Sequence, residues 1–81
     1  MKFGNKVYTH RLKNNLTQAE LADKIGVTQY IISCYERGFK IPNFDTAKRL
    51  AKALNVSLDY LADDTKDYRQ KNKTVEQDWS D

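Results

Sequence analysis

The chain has 81 residues, 40% of them hydrophobic, with three Gly and one Pro, which makes one small domain in which every element must feed a single core. So few turn residues suit short helices joined by tight turns better than a β-sandwich. The formal charge is +3, from ten Lys/Arg and seven Asp/Glu through Asp64 and four of each from Thr65 onward, so the excess lies on residues 1–64, as in a polyanion-binding domain with a neutral tail.

The first helix is predicted to start at Asn5 as N-cap and to run to about Asn14, anchored by Val7 and Leu12. Asn14 and Asn15 supply a residue tolerant of the left-handed region, which stops it, and Leu16 follows as a core-facing linker. Thr17 and Glu20 form the S/T-x-x-E pattern of a capping box at the head of a second helix. Leu21, Ala22 and Ile25 share one face of it, and Gly26 ends it where a tight turn wants positive φ. Thr28 caps a third helix that reaches about Arg37 and stops at Gly38. Pro42 and the cap Asn43 open a fourth, with Asp45 in its first turn and Ala47, Leu50, Ala51 and Leu54 as its buried stripe; Asn55 stops it. Ser57 caps a last short helix holding Leu58, Asp59, Tyr60 and Leu61. From Thr65 to Asp81 the chain is charged and polar. That stretch reads as a flexible tail, or as a short helix offering Val75 and Trp79 to a partner.

Cys34 and His10 are each the only residue of their kind. Neither an internal disulfide nor a Cys/His metal site can be built from them, and a reducing cytoplasm is the expected compartment. No apolar run reaches the roughly eighteen residues of a membrane span, and nothing after Met1 reads as a secretion signal. Ser33 and Cys34 lack a base with an orienting partner, and there is no Gly-rich phosphate loop, so no enzyme and no cofactor are expected.

The informative segment is Gln18 to Tyr35. Leu21, Ala22 and Ile25, then Gly26, then Val27, Ile32 and Tyr35 describe two helices crossing through a short turn, with Ala22 small enough for close approach. These spacings resemble the helix-turn-helix of the phage-repressor and Cro family, also called the XRE family. The resemblance extends to Leu16-Thr17-Gln18-Ala19-Glu20-Leu21-Ala22, to Tyr35-Glu36-Arg37-Gly38 and to the run from Ala51 to Leu61, and covers Val7 to Leu61. It implies an all-α, five-helix lambda-repressor-like domain whose third helix enters the major groove of double-stranded DNA.

Helical geometry agrees. With Gln29 set to zero, Ser33 falls at roughly 40°, Arg37 at 80°, Tyr30 at 100° and Cys34 at 140°, while Ile31, Tyr35, Thr28 and Ile32 fall at roughly 200° to 300°. The first group forms an outward face suited to base readout. Gln29 leads it, because an amide can bond adenine N6 and N7 together, with Tyr30, Ser33 and Cys34 beside it. Relatives carry longer polar side chains near position 34, so a cysteine there implies a weak or steric contact. In the family the residue at Gln18 anchors the DNA backbone, as a helix N-terminus can. Thr28, Arg37 and Lys40 complete the phosphate candidates. The resemblance also implies a structural ion pair between Arg11 and Glu36, and leaves His10 without a role. One recognition helix reads too few base pairs to select a genomic site, so a homodimer on a near-palindromic operator is expected. Leu58 and Leu61 would join it, with Val56 and Tyr60 turned to the core. The competing reading is an antitoxin-like or protein-docking module whose main partner is another protein, engaged through Val75 and Trp79.

Overall fold

The structure, a computed structural model, describes residues 2–63. Five helices follow one another: α1 (Phe3–Lys13), α2 (Gln18–Ile25), α3 (Gln29–Arg37), α4 (Phe44–Leu54) and α5 (Leu58–Ala62), with no strand among the described residues. The expected tail from Thr65, with Val75 and Trp79, lies outside them, as does the boundary drawn after Asp64.

Four of the helices start on a side-chain cap. Thr17, Thr28, Asn43 and Ser57 accept the backbone N–H of Glu20, Ile31, Thr46 and Tyr60, and Glu20 returns the bond to Thr17. Each cap satisfies a donor that has no partner within the helix, worth about 1 kcal/mol. The C-terminal ends of α1 to α4 are closed just as uniformly. Asn15, Gly26, Gly38 and Asn55 take positive φ. The next residue's N–H then reaches back five positions: Leu16 to Arg11 at 3.1 Å, Val27 to Ala22 at 3.0 Å, Phe39 to Cys34 at 2.9 Å and Val56 to Ala51 at 3.0 Å. This closure occupies carbonyls that the helix leaves open.

The first helix departs from the sequence expectation. It begins at Phe3, and Lys2 at its head makes no side-chain cap bond. Asn5 therefore lies inside the helix, exposed, and is not its cap. Gly4 sets the geometry there. A Cβ on it would lie 2.5 Å from the Glu36 carbonyl oxygen and 2.7 Å from that of Tyr35. The backbones of α1 and α3 meet at this point, and only a residue without a side chain permits it. Leu12 is exposed; the anchors of α1 are Phe3 and Val7.

Phe3 meets Tyr35 edge-on at 6.2 Å, and the core continues through Leu21, Ile25, Ile32, Leu50 and Leu54. Each such fully buried aliphatic side chain contributes roughly 1.5–3 kcal/mol. At the far end Asn14 donates to the carbonyls of His10 at 2.7 Å and Leu54 at 3.0 Å, and Asn55 donates to Asn14 at 2.7 Å. Those bonds tie the ends of α1 and α4 together.

The last helix corrects two expectations. Leu61, assigned to a dimer contact, has no exposed surface and belongs to the core. Tyr60, assigned to the core, is exposed, while Val56 is half-buried. The cause is the way α5 docks on α1 and α4. Lys6 Nζ donates to the Tyr60 carbonyl at 2.6 Å and lies over its ring, and His10 Nε2 is 3.0 Å from the Tyr60 hydroxyl. Tyr60 thus clasps α5 to α1 from outside, and Leu61 turns inward.

Candidate nucleic-acid interface

The turn between α2 and α3 consists of Gly26, Val27 and the cap Thr28. Gly26 adopts φ +79° with nothing within 4 Å of its missing Cβ, so it is required by the left-handed backbone and not by crowding. Leu21, Ala22 and Ile25 of α2 and Ile32 and Tyr35 of α3 are buried against one another. Locking these faces leaves the other side of α3 to solvent.

That side carries Gln29, Tyr30 and Arg37, all exposed, and Ser33, half-buried. Cys34 does not join them. It is 2% exposed, which removes its side chain from the readout face. Gly4 of α1 approaches the Tyr35 and Glu36 carbonyls and the Phe39 N–H bonds back to the Cys34 carbonyl, so α1 and the segment after Gly38 both meet the backbone of the second half of α3. The buried arc of the helix is wider than an angular count along one helix can show. Cys34 instead acts on its neighbour. Hydrogen bonding and charge at its thiol, with a smaller effect of desolvation, push the Tyr30 phenol above its ordinary value, while Arg37 pulls the other way.

A chain of bonds runs from the interior to this face. Arg11 Nε donates to Glu36 Oε2 at 2.6 Å and its Nη2 to Oε1 at 3.3 Å, both side chains being about nine-tenths buried. Arg11 Nη1 also donates to the Leu16 carbonyl at 2.9 Å. Glu36 Oε1 accepts from Gln18 Nε2 at 3.0 Å, and Gln18 Oε1 accepts from Gln29 Nε2 at 3.4 Å. Gln18 is half-buried at the first position of α2, and Gln29 is exposed at the first position of α3. The two helix starts are thus held side by side.

The phosphate candidates are spread more widely. The Thr28 hydroxyl accepts the Ile31 N–H at 3.3 Å, Arg37 lies over the Phe39 ring, and Lys40 is half-buried in the loop that follows. Phe39 was given no part by the sequence reading, although a large apolar residue directly after the glycine that ends α3 was there to be noticed. No described helix is long and apolar enough to cross a membrane.

Residues 7–61 match the family model described as helix-turn-helix. The chain is 38% identical over 61 residues to the HTH-type transcriptional regulator ImmR of Bacillus subtilis (strain 168), covering 75% of this chain and 48% of that protein. It is 38% identical over 58 residues to repressor protein C2 of Salmonella phage P22, covering 72% of this chain and 27% of that one. The crystal structure of the P22 c2 repressor protein in complex with synthetic operator 9T superposes with a TM-score of 0.73 at 36% identity, over 75% of this chain and 92% of that chain. The chain spans about half the length of the Bacillus relatives it matches. The fold is accordingly lambda-repressor-like, and the chain belongs to the XRE-type helix-turn-helix family, among whose members are transcriptional regulators and phage repressors.

Proposed function

We propose that this chain binds double-stranded DNA sequence-specifically and acts as a transcriptional repressor, with α3 in the major groove. The observation that carries the reading is the placement of Gln29. It stands exposed at the head of α3 with one N–H given to Gln18. Its other N–H and its carbonyl oxygen remain for a base, and together they are the donor and acceptor that adenine N7 and N6 require. Tyr30 and Ser33 extend the readout, and Cys34 drops out of it. Gln18 keeps one N–H beyond its bonds to Glu36 and Gln29, and it lies at a helix N-terminus, where a phosphate is favoured. Thr28, Arg37 and Lys40 supply further backbone contacts.

The active species in this reading is a homodimer on a near-palindromic operator, its recognition helices about 34 Å apart. Leu58, half-buried at the head of α5 and packed against the edge of the core, keeps the part of its surface that is offered to the two-fold contact once Leu61 is assigned to the core. The role is binding, not catalysis, and its place is the cytoplasm. Selection of bound sites from a random duplex pool tests the proposal. It requires enrichment of one motif with two related halves; a pool that stays unenriched contradicts it.

A further inference from the structure

Four helices end in one closure, and each time the residue after the left-handed position is apolar: Leu16, Val27, Phe39 and Val56. That position places a side chain where it can fold back on the last turn of the helix. Leu16, Val27 and Val56 do so and pack against the core. Phe39 does not. Its backbone is fixed as firmly as the others, by the 2.9 Å bond to Cys34, yet its side chain is 68% exposed. What its ring holds instead is the guanidinium of Arg37, 4.8 Å from the ring centroid.

We propose that Phe39 is a positioning residue, its ring holding the Arg37 guanidinium in place at the end of α3 to take a DNA phosphate. A guanidinium lying over an aromatic face keeps its N–H donors, whereas a carboxylate partner would occupy them. No carboxylate of the described residues pairs with Arg37. The cation also sits on the flank of α3 that bears Tyr30, beside the readout face and not behind it. The ring restricts a long, flexible side chain before DNA arrives, so less freedom is lost on binding. This inference rests on the DNA-binding reading above.

The test uses the full chain, the duplex enriched by site selection, and the variants Phe39→Ala, Phe39→Trp, Arg37→Ala and the Phe39→Ala/Arg37→Ala pair. Phe39→Ala is expected to weaken binding about two- to fivefold, as loss of an exposed cation–π contact would, and Phe39→Trp to restore it. Arg37→Ala should flatten the dependence of log K on log salt by about 0.9, the share of one phosphate. In its presence, Phe39→Ala should cost nothing more. Phe39→Ala that binds like the wild type, or that loses the same factor with and without Arg37, overturns the inference and leaves the DNA-binding reading intact. A wild-type chain that binds no duplex sinks that reading instead. Proton NMR of the free chain checks the stack itself: the Arg37 δ-methylene signals should lie upfield and relax in Phe39→Ala, and signals already at solvent-exposed positions overturn it.

Discussion

Glu36 sits where the fold and the readout face meet. Its carboxylate takes two bonds from Arg11 and one from Gln18, and Gln18 in turn takes one from Gln29. Replacing it with Ala leaves a largely buried guanidinium without its counter-charge, which costs about 3–5 kcal/mol. Total stability for so small a domain is on the order of 5–15 kcal/mol, so the loss is severe. Chemical denaturation of Glu36→Ala should show it, and a midpoint unchanged from wild type would mark the pair as expendable. A Glu36→Gln variant keeps the shape but not the charge, and it should unfold between the two. The Arg11–Glu36 pair was expected because the family resemblance implies it, and the two side chains are in contact; the bond from Gln18 to Glu36 was not expected. The burial of Cys34 could not be read from sequence, since it depends on how α3 packs in the fold, which the periodicity of α3 alone does not show.

Among the elements, α2 to α4 were legible at both ends and α5 at its start, because their signals are local: a Ser, Thr or Asn cap, and for α2 to α4 a Gly or Asn that tolerates positive φ. The head of α1 was not, because Lys2 offers no capping bond and Asn5 resembles a cap that it is not. Gly4 was passed over for a related reason. A glycine near a chain start suggests a loop, whereas here it is a contact surface between two helices. Gly4→Ala would gain helix propensity in α1 and still destabilise, because the added methyl meets the backbone carbonyls of Tyr35 and Glu36, which have no rotamer to yield. Such overpacking costs about 1–3 kcal/mol. A lower melting temperature is expected, and a rise would show that α1 can slide away from α3 freely. Inside α5, the exchange of Leu61 and Tyr60 escaped sequence reading because a five-residue helix carries too little pattern to fix its buried face.

At the scale of the molecule, charge and symmetry govern. The net charge of +3 lies on the residues through Asp64, and affinity for duplex DNA should fall linearly in log K against log salt, by about 0.9 per phosphate neutralised. An affinity indifferent to salt would contradict that. The proposed dimerisation through α5 makes a second demand. Leu58→Glu should weaken binding to a two-half-site operator sharply while leaving the monomer folded by circular dichroism. A folded Leu58→Glu that binds both half-sites as well as wild type would exclude this interface. The measurement that bears most directly on the central claim is the affinity of Gln29→Ala for the selected operator and for random duplex of equal length, in the same buffer. If α3 reads bases, the variant loses about 1–3 kcal/mol on the operator and almost nothing on random DNA. Equal losses on both would mean that Gln29 only steadies the protein on the backbone, and that sequence is read elsewhere.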